Sequence, residues 1–287
     1  MSRLRRNLAP YLLVLPGGLW LLLFFAVPMI TMLSLSLQQG DIVNGYAFTG
    51  HWQTYVDAIG NYRTQLFRSL LYGAIATVLL IVVAFPVAYW IAFYGGRRKA
   101  TYLFLLLLPF FVSFVLRTIS WRQILTDEGP LLGPLKDIGL LGSSFHILGT
   151  PFAVIAGLVY NFLPFMVLPV YVALERIDPR VIEAARDLYA DPATAFRKVI
   201  LPLALPGVFA GVLMTFVPAS SDYVNSAVLG SSSTTMIGQV IQAQYLATAD
   251  YPTASALSFV LMAVLLIGVF AYARALGTED VMKVAAR

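Results

Sequence analysis

The chain has 287 residues, of which 59% are hydrophobic and only 11% charged, with a mean hydropathy of +0.81 and a formal net charge of +5. A soluble globular domain carries about 25% charged residues, so this composition excludes one and points to the bilayer. The basic pI near 9.4 fits cationic loops beside membrane helices rather than nucleic-acid binding, and the absence of cysteine excludes a disulfide framework and a thiolate metal site.

Six apolar segments are long enough to span a membrane, which takes roughly 20 residues. They run from about Pro10 to Leu35, Ser69 to Phe93, Thr101 to Ile119, Pro151 to Leu174, Leu203 to Tyr223 and Thr253 to Leu276. The first is uncharged from Asn7 to Gly40, too long for a signal-peptide core, and reads as a retained span. Pro28, Pro86, Pro109, Pro164, Pro169 and Pro206 fall inside these spans, where neighbouring helices satisfy the freed carbonyls. Between the spans, residues 36–68 read as a polar loop, and residues 120–150 as a short apolar piece with Gly129, Pro130, Gly133 and Pro134. Residues 224–252 read as a serine- and threonine-rich stretch followed by an amphipathic run from Met236 to Leu246.

Lys and Arg set the expected orientation. With a cytoplasmic N-terminus, 14 of the 19 fall inside and 5 outside, while the acidic residues divide seven and seven. The positive-inside rule therefore predicts that both termini are cytoplasmic.

The inside segment between the fourth and fifth spans, residues 175–202, carries the strongest signal. Asp178-Pro179 and Asp191-Pro192 each place an N-cap acid before a first-turn proline, predicting short helices over 179–190 and 192–200. Pro202 and Pro206 are expected to break the path into the fifth span. In the first short helix, Val181, Ala185 and Leu188 share an apolar side, opposite Arg180, Glu183, Arg186 and Asp187. Such a pair suits either docking into a partner's groove or lying on lipid headgroups.

Glu183-Ala184-Ala185, followed sixteen residues after Glu183 by Val199-Ile200-Leu201-Pro202, resembles the EAA loop of ABC-importer permeases. Two positions depart from that pattern. Val199 stands in place of isoleucine, and Tyr189 in place of a glycine, which suits a left-handed turn. The resemblance covers about residues 66–275. It implies an all-α polytopic fold of the type I importer class with six transmembrane helices. Residues 1–65 would then form an N-terminal helix and outer loop, and 276–287 a cytoplasmic tail. It also implies that Glu183, Ala184, Ala185, Arg186, Asp187, Tyr189, Phe196 and Arg197 couple the chain to a cytoplasmic ATPase dimer. The further implied partners are a second homologous permease, an extracytoplasmic substrate-binding protein and the lipid of the cell membrane. The chain has no phosphate-binding glycine loop, so ATP and Mg are expected on the partner, with no cofactor and no catalytic residue here.

Leu116–Trp121, Leu163–Pro169, Asp222-Tyr223-Val224 and Met236–Gln242 resemble stretches of the spermidine/putrescine permeases of B type. A polyamine path calls for carboxylates and aromatic faces. Asp222 is the one charged residue between Val199 and Ala249, and reads either as a carboxylate in the path or as a solvated acid at a helix end. Tyr223, Tyr160, Trp121 and Trp90 offer aromatic faces or belong to an interfacial belt, and Asn161 lines the cavity or bridges helices. Arg117 is expected to pair with Asp127 or Glu128, or to snorkel. His51 and His146 lie far apart, with no metal-ligand spacing and no nucleophile–base pair. A same-fold permease for a sugar, an inorganic ion or an osmolyte is the alternative. An intramembrane enzyme would need clustered acids or histidines in the bilayer, and a stand-alone channel would not need the coupling loop.

Overall fold

The computed structural model describes residues 14–142 and 144–275. The basic N-terminal segment, the start of the first predicted span and the expected tail at 276–287 lie outside the described residues. Five helices are long and apolar enough to span a membrane, and a bent helix pair makes a sixth candidate.

Helix α1 (Val14–Ser36) contains a π turn at Leu22–Ala26, closed by the Val27 N–H on the Leu22 carbonyl and followed at once by Pro28. A widened turn just before a proline keeps the ring away from the carbonyl four residues back. None of the apolar stretch of α1 is buried within this chain. The predicted polar loop over 36–68 is corrected. Strands β1 (Gln38–Asp41) and β2 (Gly45–Phe48) form an antiparallel hairpin, and α2 (Gln53–Tyr94), two helical stretches joined at a non-helical Tyr62, begins well before Ser69. Asp41 Oδ1 accepts the Val43 and Asn44 N–H groups at 2.8 and 2.7 Å, and Gly45 takes φ +82°. The sequence Asp-Ile-Val-Asn-Gly supplies a turn where an all-helical reading sees only polarity.

The chain divides into two compact units. The first holds residues up to 63 with 241–262. In it the Ser36 and Tyr55 hydroxyls meet at 2.7 Å, Gln244 Nε2 donates to the Tyr62 hydroxyl at 2.6 Å, and the Tyr46 hydroxyl donates to the Ala249 carbonyl.

The second unit holds residues 64–240 and those from 263. Small and apolar residues at every fourth position of α2, Ala76, Leu80, Ala84 and Ala88, are buried in its core. They join Val154, Leu158, Met166, Val170 and Leu174 of α6 (Pro151–Glu175). Thr150 caps α6, its hydroxyl accepting the Ala153 N–H at 3.3 Å ahead of Pro151. Helix α9 (Leu201–Ser220) packs along α6 at Gly207 and Gly211. A Cβ at Gly207 would overlap Ala173 and the Pro169 carbonyl, so only hydrogen permits this approach.

The third predicted span is not one helix. After a 3-10 turn at Gly96–Arg98, α3 (Lys99–Leu107) runs into a 3-10 turn at Leu108–Phe111, and α4 (Phe114–Leu125) leaves at 87°. Pro109 removes one backbone donor, and extended Val112 and Ser113 end the helical path. The remaining short helices are α5 (Leu132–Asp137), α7 (Pro179–Asp187), α8 (Pro192–Ala195), α10 (Val224–Leu229) and α11 (Ile237–Leu246), with α12 (Tyr251–Ala275) last. The amphipathic run predicted over Met236–Leu246 is α11.

Candidate functional site

Two constellations stand out, one at the broken span and one in the 175–202 loop. At the broken span, a chain of buried amide and hydroxyl groups links three elements. Asp222, two residues past the end of α9, is 8% exposed. Its Oδ1 accepts the Asn225 N–H at 2.7 Å and Asn225 Nδ2 at 3.2 Å, which closes the first turn of α10. Asn225 Oδ1 accepts from Asn161 Nδ2 of α6 at 3.1 Å, and the same Nδ2 lies 3.1 Å from Thr118 Oγ1 of α4. The solvated-acid reading of Asp222 is therefore corrected: the carboxylate is enclosed and bonded to the chain. From Asn225 the polar path continues to Ser226, whose hydroxyl donates to Gln239 Oε1 at 2.8 Å and accepts the Met236 N–H at 2.9 Å.

Aromatic rings gather beside this network. Tyr160, next to Asn161, lies 5.3 Å edge-on from Trp121 and 6.2 Å from Phe110. The Arg117 guanidinium sits among them, 4.1 Å from the Phe110 ring centroid, 5.8 Å from Phe114 and 5.9 Å from Tyr160. A desolvated cation over a ring gains about 2 kcal/mol. The expected pairing of Arg117 with Asp127 or Glu128 is corrected: Asp127 takes Lys136 at 3.2 Å, and Arg117 is buried against rings. Of the predicted path residues, the structure joins Asp222 to Asn161 and Tyr160 to Trp121, and leaves Tyr223 45% exposed. Trp90 lies elsewhere, edge-on to Tyr102 at 5.0 Å. Asn225, Thr118 and Arg117 were not chosen from sequence. Thr118 and Arg117 fall within the Leu116–Trp121 stretch that carried a resemblance, but nothing in their spacing shows which face of α4 is buried.

In the loop, α7 and α8 begin at their prolines as expected. The Asp178 carboxylate accepts the Arg180 N–H at 2.9 Å, and at the cap position of α8 the Thr194 hydroxyl and the Ala193 and Thr194 N–H groups hold the Asp191 carboxyl below its usual range. Helix α7 ends in a Schellman turn. The Ala190 N–H bonds the Ala185 carbonyl at 3.1 Å, the Tyr189 N–H bonds the Arg186 carbonyl at 2.9 Å, and Tyr189 takes φ +61°. The left-handed residue is thus kept with a tyrosine in it, and its side chain is 98% exposed.

On α7, Ile182 packs on the core, while Val181 and Leu188 are exposed, as are Glu183, Ala184, Arg186 and Asp187. Arg197 is exposed too, but Phe196 turns inward, with ring centroids 5.6 Å from Phe85 and 6.0 Å from Tyr89. Phe196 therefore anchors the loop to the bundle while remaining partly exposed. The predicted break at Pro202 and Pro206 is also corrected. A π turn at Phe196–Ile200, closed by the Leu201 N–H on the Phe196 carbonyl, carries α8 into α9 as one run of 29 residues. It stands immediately before Pro202, as the π turn of α1 stands before Pro28. Among the described residues no group of three or more His, Cys, Asp or Glu is placed to hold a metal ion.

Comparison with known proteins agrees with this architecture. Spermidine/putrescine transport system permease protein PotB of Haemophilus influenzae is 35% identical over 257 residues, covering 89% of this chain and 90% of that protein. PotB of Escherichia coli K12 is 33% identical over 257 residues, covering 89% and 94%. Among solved structures, a bacterial ABC transporter involved in import of the acidic polysaccharide alginate superposes with a TM-score of 0.72 at 19% identity. That match covers 96% of this chain and 98% of that one, a likeness of fold. Residues 66–276 match the family described as the binding-protein-dependent transport system inner membrane component. The chain is a multi-pass membrane protein and belongs to that family of ABC-importer permease subunits.

Proposed function

We propose that the chain is the permease subunit of an ATP-driven importer in the cytoplasmic membrane and forms half of the path for a polyamine delivered by an extracytoplasmic binding protein. Near-full-length similarity to two spermidine/putrescine permeases carries the substrate class. The buried Asp222 beside a set of aromatic rings supports it, because both chemistries favour an organic cation. A second permease completes the path. The exposed face of α7, with Glu183, Arg186, Asp187, Leu188 and Tyr189, meets a cytoplasmic ATPase dimer that holds ATP and Mg. Both termini are cytoplasmic.

The test is uptake into proteoliposomes holding this chain, its partner permease, the ATPase and the binding protein. Putrescine or spermidine should enter with ATP, while maltose and phosphate should not. The binding protein alone should gain thermal stability with polyamines only. Stabilisation by a sugar or an anion, with matching uptake, would transfer the proposal to that solute. A charge reversal, Glu183→Lys, should abolish coupled uptake while the permease remains inserted.

A further inference from the structure

Arg117 is a buried cation held by rings instead of a carboxylate. It is 9% exposed, and its Nε and Nη1 groups have no hydrogen-bond partner among the described residues. Phe110 lies before the break between α3 and α4, Phe114 and Arg117 lie after it, and Tyr160 comes from α6. Irregular backbone within an apolar span persists where it lines a protein-enclosed cavity, and broken helices place sites in transporters. Rings at these distances recognise positive charge through their quadrupoles and do not require a particular donor geometry, so both guanidinium and alkylammonium groups are attracted to them. The enclosed polar network begins one residue away along both elements, at Thr118 and Asn161.

We propose that Arg117 is a tethered cation that fills an aromatic site for the substrate's ammonium groups, so that a polyamine passes by displacing the guanidinium from Phe110, Phe114 and Tyr160. An uncharged solute cannot displace it, which makes Arg117 a specificity-determining residue of the path. The proposal rests on the polyamine reading above. The guanidinium is carried on four rotatable single bonds.

The experiment uses the full reconstituted complex and free guanidinium ion as the probe, with sodium at equal ionic strength as the control. Arg117→Ala empties the cage. Guanidinium at about 20 mM should then lower polyamine uptake by the variant about fivefold and change wild-type uptake less than about twofold, because the tether already occupies the site. Rescue of the variant by guanidinium would mean that the missing cation is structural, and insensitivity would mean that the rings bind no mobile cation. Either result overturns the proposal. Arg117→Lys keeps a cation on a tether and covers the case in which Arg117→Ala does not assemble. It should retain uptake within about twofold and ignore guanidinium, whereas a role for the planar fork of arginine would not accept lysine. An assembled Arg117→Lys complex without uptake therefore also overturns it. Wild-type uptake is measured first. Its absence for polyamines would remove the substrate reading and this proposal together, which is distinguishable from a failure of the guanidinium arm alone.

Discussion

Asp222 illustrates how far a single residue could be read from the chain. Its isolation in a charge-free run was visible, but its partner was not, because Asn225 becomes a ligand only when the backbone after α9 turns back into α10. Asp222→Ala would leave the buried Asn225 N–H and Nδ2 groups without their acceptor, and should cost about 1–3 kcal/mol in thermal unfolding in detergent. Tyr189 gives a second prediction at this scale. A non-glycine residue at φ +61° costs about 1 kcal/mol or more, and the ring touches little within the chain. Tyr189→Gly should therefore leave the isolated permease equally stable or slightly more so. If the ring contacts the ATPase, the same change should weaken co-purification of the complex. Equal stability with unchanged assembly would leave the ring without a docking role.

At the scale of elements, helix existence was legible and helix continuity was not. Hydropathy located every span, yet it placed a straight helix across Pro109 and a break at Pro202, and the structure reverses both. A proline states only that one N–H is missing. Whether the chain bends or widens into a π turn depends on what packs beside it, and at Pro202 the anchor is Phe196 against Phe85 and Tyr89. The α6–α9 contact gives a graded test. Gly207 faces the Pro169 backbone carbonyl, which cannot yield, whereas Gly211 faces the flexible Met166 thioether. Gly207→Ala should cost about 1–3 kcal/mol as overpacking. Gly211→Ala should be near neutral, because the gain of about 1 kcal/mol in helix propensity offsets a small shift of Met166. Comparative thermal unfolding of the two variants distinguishes them, and equal losses would refute the backbone argument.

For the whole molecule, the distribution of Lys and Arg predicts which loops share a side of the membrane. The chain has no cysteine, so single introductions are free of background. Arg97→Cys and Ser232→Cys, both at exposed positions, should react with an impermeant maleimide from opposite faces of sealed vesicles, Ser232→Cys from the outer one. Labelling of both from one face would overturn the orientation.

Some properties of this protein follow from composition and pattern alone. Apolar runs of spanning length require membrane helices, because a backbone in lipid must satisfy its own hydrogen bonds. Charged and capped residues between the fourth and fifth predicted spans require a short helical loop outside them, and the spacing from Glu183 to Pro202 marks the family. The tertiary structure decided which face of each helix is inside. In an almost uniformly apolar segment the periodic contrast between polar and apolar residues disappears, so sequence does not show where α4 or α6 points. Thr118, Asn161, Asn225 and Asp222 meet because three elements converge, and Arg117 faces rings instead of an acid because the chain breaks at Pro109–Ser113. Those are consequences of packing between distant segments, and no local stretch of the sequence contains them.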